Sequence, residues 1–571
     1  MHRLERFIKK VTAKAKRQST ASEPLVPAFP LVIKSSNETL DQTTAVSQLL
    51  RLPPELLRMI WQFTNDADPW RQRLTCRILY EVLTDLAWRD QLPFFVSRPG
   101  VGMPNLAVCR QYGHLARYLS TPRVLATWPH PRHWPDLFPN VTWFAFDMHS
   151  PEVAMVMIET FDECIKRMAN LQKLECVVRS FSLTWHDQLL GCMDNLVSWM
   201  VDGKTLPRMK RVIISYLISQ ERDQALLTKV INAFEPVKSR DILRIKLRTQ
   251  QLIGAGDKPS DVSFETIAEY LDAFDYATWD AKECYSAVNG RLLMNAANQL
   301  IQLPHLRNLR LFVCNCGIGD YSQWNPSTFP CLQSLSLSGY SSHCATRPKS
   351  SYSFTERSSA AAMFEHQWPN VRKFTFNSKT VPPMAFKMTS CMTRATFIDI
   401  KVIVSLMEHR ATFYIDTMSV STPYLRELTY CGENHARYLN DISLTTSAIT
   451  GTRYFPHLYK LSLGHFNFAD GGTFAAILSL PSLAHLTLTW CTLNESEVFV
   501  KAMVAGIPKG GCGVRNINMN RGRGCYEKAT VIAIGQHCPR LQKLNISRSS
   551  SPDYLNIIKK SLPNIEITDY M

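Results

Sequence analysis

The sequence predicts an α/β chain built as a solenoid: a short helical segment, then a long parallel sheet that gains one strand per repeat. Three observations predict it. One phrase recurs from Phe138 to the end of the chain: an apolar or small residue, proline, a variable residue, then alternating apolar positions. Its copies are evenly spaced in places, with Pro304 to Pro330 spanning 26 residues, Pro456 to Pro481 spanning 25 and Pro539 to Pro563 spanning 24. Ahead of them, residues 47–92 carry a helical apolar period. The 571 residues are 45% hydrophobic and 10% aromatic, which excludes wholesale disorder. The longest apolar runs, such as Val153 to Ile158, fall far short of the ~18 residues of a membrane span. A soluble, folded chain is expected.

The first segment is a basic tail. Residues 1–17 hold Arg3, Arg6, Lys9, Lys10, Lys14, Lys16 and Arg17 against Glu5, and so carry +6 of the formal +16. The remainder has a mild positive excess spread along the chain, not a nucleic-acid stripe. Without an apolar h-region the tail is no secretory signal. A solvated flexible tail, a nuclear-import or anionic-surface tag and a transit peptide stay open, though Glu5 counts against the last. Residues 1–46 are read as this tail.

Residues 47–92 are read as three short helices. Pro53 and Pro54 suit a helix start, where a missing N–H costs nothing. Leu56, Ile60 and Phe63 then recur at i, i+4 and i+7, with Leu57 and Trp61 widening the apolar face. Asp68-Pro69 is a second start signal. Leu79, Val82, Leu83 and Leu86 form a third apolar series that ends near Trp88. So small a unit needs a partner or neighbour to cover it.

Leu52-Pro53-Pro54-Glu55 with its apolar helix, then Leu74-Thr75-Cys76-Arg77 and Trp88, resembles an F-box. That family pattern opens with L-P-x-E, steps through apolar-x-C-[KR] and closes near a tryptophan. Asn65 to Arg71 departs from it, with Trp70 in place of the usual leucine-serine run. The resemblance implies docking on the Skp-type adaptor of a Skp–cullin–F-box ubiquitin ligase, and through the adaptor on a cullin. Leu52, Pro53, Glu55, Leu56, Ile60, Leu74, Cys76, Leu79, Leu83 and Trp88 would make that contact. The plainer alternative is a helical cap on the following domain.

Residues 93–571 are read as the repeat array. Copies of the phrase start at Phe138, Leu303, Phe329, Trp368, Thr422, Phe455, Leu480, Cys538 and Leu562, with weaker ones at Asn170, Arg208 and Gly513. A 20–29-residue period carrying L-x-x-L-x-L is the leucine-rich-repeat signature. Each L-x-L is a strand with two buried residues, and no unit covers its apolar side without a stacked neighbour. The expected form is an irregular solenoid, a curved parallel sheet with helices on the convex side. Pro369 to Pro423 is near a double period, consistent with an insertion or a skipped copy. Leu226 to Phe234 and Phe264 to Phe274 read as helices, and Ser342 to Ala361 as a mobile loop.

In such an array the residues between the buried strand positions face a target. They are Asp147, Arg310, Phe312, Ser336, Ser338, Thr375, Asn377, Thr429, Ser462, Gly464, Thr487, Thr489, Asn545 and Ser547. This set is small and polar, with Arg310 its one arginine, whereas a phosphate-reading surface wants clustered arginines. Specificity is therefore assigned to strand-end residues as well: Tyr340, His465, Phe466, Trp490, Arg521, Arg523 and Arg548. Arg310, Phe312, Tyr340, His465, Trp490 and Arg548 are the leading target-binding candidates; packing between repeats is the plainer alternative for several.

No nucleophile elbow, zinc-protease motif or complete phosphate loop is present, since Gly203-Lys204-Thr205 lacks the upstream glycine. None of the 16 cysteines stands in C-x-x-C spacing. They are expected to be reduced and buried, with no metal and no cofactor. The sequence thus points to a non-enzymatic substrate receptor in the cytoplasm or nucleus, binding a protein target, with no membrane partner and nucleic acid disfavoured. A ligase-independent scaffold or adaptor is the rival. A third reading, an RNA- or anionic-surface-binding protein that uses residues 1–17, predicts steep salt dependence.

Overall fold

The computed structural model describes most of residues 106–570; residues 1–105 and several connecting segments, the longest being 250–264, 277–299 and 340–358, are not described. The F-box-like residues 47–92 and the basic tail lie outside the described residues. So does nearly all of the loop expected at residues 342–361, whose last residues enter the 3-10 helix Ser359–Glu365.

Among the described residues, sixteen strands lie in parallel order, each beside the next of its series. Two compact units share them. The first runs to Ile213 and includes Pro236–Lys238. It holds β1 (Tyr118–Ser120), β2 (Trp143–Met148), β3 (Lys173–Val178) and the start of β4 (Arg211–Ile218). Its helices are α1 (Leu106–Tyr112), α2 (Trp134–Leu137), α3 (Pro151–Glu159), α4 (Phe161–Ile165) and α5 (His186–Val201). β2 buries Phe144 and Phe146, with Trp134 of α2 edge-on to Phe144 at 5.9 Å.

The second unit carries β5 (Leu243–Thr249), β6 (Leu271–Tyr276), β7 (Asn308–Val313), β8 (Ser334–Gly339), β9 (Lys373–Thr380) and β10 (Phe397–Ile403). β12 (Glu427–Glu433), β14 (Lys460–Gly464), β16 (His485–Thr489), β18 (Asn516–Asn520), β19 (Lys543–Ser547) and β20 (Glu566–Tyr570) continue it. A small second parallel sheet is made of β11 (Thr412–Tyr414), β13 (Asn440–Ser443), β15 (Phe466–Phe468) and β17 (Thr492–Leu493). The helices of this unit are α6 (Glu221–Phe234), α7 (Pro382–Ser390), α8 (Gly471–Leu478), α9 (Glu497–Gly506), α10 (Lys528–His537) and α11 (Pro552–Ser561). Among the described residues, no helix is long and apolar enough to cross a membrane.

The recurring proline phrase has a definite geometry. Ahead of β14, the N–H of Leu458 donates to the carbonyl of Phe455 at 3.0 Å, closing a turn with Pro456 at its second position. The same bond precedes β2, β3, β4, β7, β8, β9, β10, β12, β16, β19 and β20, at 2.9 to 3.3 Å. Proline suits that second position because its fixed φ is the one the turn requires. The variable residue after it ties neighbouring repeats together. Asn370 Nδ2 donates to the carbonyl of Pro330 at 2.7 Å, and Ser482 Oγ to that of Pro456 at 2.6 Å. The chain then enters the sheet with paired donations to one carbonyl, as Tyr459 and Lys460 make to Arg426. Two leucines per strand, such as Leu461 and Leu463, are fully buried. Each pair contributes about 3–6 kcal/mol relative to exposure, and only stacked neighbours supply the cover.

Two expectations are revised. Between Pro369 and Pro423 a copy is hidden: β10 follows a turn from Met392 to Ala395 that has Thr393 where the phrase has proline. The reading of Phe264 to Phe274 as a helix is corrected, because Glu265–Tyr270 is a short 3-10 helix and Leu271–Tyr276 is a strand. Leu271 and Phe274 are both buried three residues apart, which mimics a helical period. A register shift opposite Ile245 and Lys246 makes that spacing compatible with a strand. The helix expected at Leu226 to Phe234 is the C-terminal part of α6.

Candidate functional site

Along most strands of the second unit alternation buries one face of the sheet and leaves the residues between partly exposed; these form its open face. In the second unit the strand register sets them in straight rows. Arg310, Ser336 and Thr375 stand side by side on β7, β8 and β9. The same row continues through Asp399, Thr429, Ser462 and Thr487 to Asn518, Asn545 and Thr568. Seven of the residues assigned to a target-facing surface therefore share one line. At its C-terminal end the side chains form a ladder. Asn518 Nδ2 donates to Thr487 Oγ1 at 3.3 Å, Asn545 Nδ2 to Asn518 Oδ1, and Thr568 Oγ1 to Asn545 Oδ1.

The neighbouring row is more charged. Glu427 and Lys460 pair at 3.7 Å, as do Lys543 and Glu566. Between them His485 bonds Tyr459 Oη through Nε2 at 2.7 Å and meets Asn516 Nδ2 through Nδ1 at 2.9 Å. The amide of Asn516 donates in that contact, so the imidazole proton lies on Nε2 and is donated to the tyrosine.

At the strand ends the structure brings two candidates together. His465 directly follows β14 and Trp490 directly follows β16. Both have left-handed backbone, with φ of 61° and 56°. This conformation bends the chain out of the main sheet toward β15 and β17. The turned N–H of His465 reaches the carbonyl of Thr489 at 2.9 Å, and that of Trp490 the carbonyl of Asn520. Left-handed backbone costs a non-glycine residue about 1 kcal/mol or more. In exchange, the two rings stack at 5.9 Å and 8° between planes. Trp490 is 46% exposed. Phe455 also has positive φ, at 40°, but is fully buried and serves packing.

No family model matches the chain, and no curated protein does.

The other assigned residues are distributed as follows. Arg310 is on β7, separate from the aromatic pair, and its Nε lies 3.6 Å from Asp275 Oδ1. Phe312 pairs by backbone register with Ser338. Tyr340, Arg521, Arg523 and Arg548 lie outside the described residues, as do all ten adaptor-contact candidates between Leu52 and Trp88. Phe466 is 1% exposed and stacks on Tyr430 at 5.7 Å, so it belongs to the core and not to a contact surface. Ser338 is likewise buried. Gly464 is buried because Cys431 approaches it: a Cβ there would meet Cys431 Sγ at 2.9 Å. In the first unit Asp147 is half-buried on β2, and at the start of that strand Lys173 Nζ lies 3.4 Å from the Trp143 ring centroid.

Arg248 and Asp275 were missed. They occupy the same row as Arg310, on β5 and β6, where the proline phrase is absent and alternation is broken by the register shift. Most of the described cysteines are buried, but Cys331 is exposed and Cys431 half-buried, against the expectation that all are buried. Burial pushes the thiol of Cys109 up to about 11 and that of Cys164 up to about 12, and Cys491 rises to about 12. These three stay protonated and unreactive at neutral pH. Among the described residues, no three metal-ligating side chains gather.

Proposed function

We propose that this chain is the target-capturing subunit of a Skp–cullin–F-box ubiquitin ligase. Residues 47–92 dock on the adaptor, and the repeat array holds a protein target beside the ubiquitin-charged partner. In this reading the parallel sheet is a leucine-rich-repeat solenoid, curved with its helices outside. The chain acts in the cytoplasm or nucleus and supplies position and effective concentration, not chemistry. The observation that carries the proposal is the stacked pair His465 and Trp490. An exposed tryptophan fixed on strained backbone at the rim of a rigid sheet is the kind of anchor that dominates protein interfaces. The L-P-x-E segment at Leu52 to Glu55 supports the adaptor half.

The test is affinity capture of the tagged chain from its native cells. It runs beside a variant carrying Leu52→Ala, Pro53→Ala and Ile60→Ala, and a second carrying Trp490→Ala. Adaptor and cullin are expected with the native chain and with Trp490→Ala, and absent from the triple variant. Target proteins are expected with the triple variant and depleted with Trp490→Ala. Adaptor without cullin would favour a ligase-independent F-box protein; neither, with any form, would leave a repeat scaffold.

A further inference from the structure

The open face of the second unit divides by charge. Along the two rows set by register, the described residues of β5 to β9 include Lys246, Arg248, Arg310 and Lys373 with the carboxylate Asp275, while Asp272, beside these rows on β6, pairs with Arg307 at 3.7 Å. From β10 to β20 the same rows carry the carboxylates Asp399, Glu427 and Glu566 against Lys460 and Lys543. The basic part has a centre. Asp275 lies between two arginines, with Arg248 Nε 3.6 Å from one carboxylate oxygen and Arg310 Nε 3.6 Å from the other. At that distance the contacts are ion pairs and not hydrogen bonds, so Asp275 does not consume the guanidinium donors. Asp275 Oδ1 is itself buried and accepts no hydrogen bond from the described residues. One carboxylate thus restrains two half-exposed arginines that carry twice its charge.

We propose that the open face of β5 to β9 binds an acidic segment of a partner protein, whose carboxylates pair with Arg248 and Arg310 on either side of Asp275. The geometry sets the spacing. The two arginines are on strands two apart, about 10 Å at ordinary strand separation. A peptide in polyproline II form rises about 3.1 Å per residue with three residues per turn, so acidic side chains three positions apart share one face about 9 Å apart and match the pair. Nucleic acid fits less well, because the rows supply four cations, one carboxylate and a run of serines at Ser334 and Ser336. That is too little charge to neutralise a phosphate backbone. The proposal rests on the capture reading only in that the ligand is a protein segment; its site is separate from Trp490.

The probe is a fluorescein-labelled ten-residue peptide with Asp-x-x-Asp at its centre, titrated with the full chain and followed by anisotropy. Its Asn-x-x-Asn counterpart and a ten-nucleotide single-stranded RNA serve as comparisons. Arg248→Gln with Arg310→Gln is expected to weaken the acidic peptide about tenfold or more, since charge-assisted pairs carry the contact. Asp275→Asn is expected to tighten it severalfold by removing the internal competitor, a gain that damage to the fold would not produce. Lys460→Gln, on the other part of the face, is expected to leave it unchanged. Equal affinity for both peptides, indifference to the arginine substitutions, or tighter RNA binding through the same arginines would overturn the proposal. If Trp490-dependent capture persists in that case, the receptor reading stands without this site. If the peptide binds and that capture fails, the site stands without the receptor reading.

Discussion

Gly464 has no room for a side chain, and this fixes how closely β12 and β14 approach at their ends. A Cβ there would lie 2.9 Å from Cys431 Sγ and 3.1 Å from its Cβ. Gly464→Ala is therefore expected to destabilise by about 1–3 kcal/mol, the usual cost of overpacking a filled site. Chemical denaturation measures it, and Cys431→Gly in the same background should restore most of the loss. A tolerated alanine would mean the strand ends separate freely. The neighbouring residues show how much of the site the sequence revealed. His465 and Trp490 could be picked out as strand-end residues from their place after L-x-L. Their left-handed backbone could not, because neither is a glycine or asparagine. Gly464 itself read as part of a contact surface, since a sequence does not say that Cys431 sits against it. Arg248 was hidden for a different reason: its partner Asp275, shared with Arg310, is on another strand, and only register joins the three.

Helix α8 begins with a cap that ties its stability to pH. Asp470 accepts from the backbone N–H of Thr473 at 2.7 Å, from that of Gly472 at 3.1 Å and from the Thr473 hydroxyl at 2.9 Å. Partial burial pushes the carboxyl up, but these three donors outweigh it and hold the group below its ordinary 3.8. A depressed folded-state value means the cap's contribution is fully present above the unfolded pKa. It is lost as pH falls through the folded one. Asp470→Ala is expected to cost about 1 kcal/mol at pH 7, near the centre of the range for lost caps. The gap from the native chain should narrow as pH drops below about 4, the ordinary carboxylate range. Thermal melts of both forms across that range check it; a constant gap would show that ionisation of Asp470 is irrelevant. Elements of this kind were legible wherever proline marked the turn. β10 was not, because Thr393 serves the turn without the proline signal. β6 was misread because its register shift spaces buried residues like a helix. The small sheet of β11, β13, β15 and β17 carries segments too short to show a period.

In the second unit the strand spacing varies, while each described strand of the long sheet still pairs in parallel with the next. From Ser334 of β8 to Lys373 of β9 the chain runs 39 residues, yet from Lys460 to His485 it runs 25. Both connections end in the same turn and enter the sheet through the same paired donations to one carbonyl. The turn sets register locally, whatever precedes it. An insertion of about eight Gly/Ser residues within 340–358 is therefore expected to leave the melting temperature and the circular-dichroism spectrum nearly unchanged, since lengthening a connection costs less than about 1 kcal/mol per doubling. A large loss of stability would show that the segment itself helps to align β8 with β9. The parallel repeat architecture was the most legible feature of all, since burial of alternating leucines and a proline turn are both written in residue types. A sheet that restarts its own register at every turn also has no fixed size. Tandem duplication of one unit in the gene would add a strand and lengthen the row from Arg248 to Thr568, because the added turn would set the register of the strand that follows it.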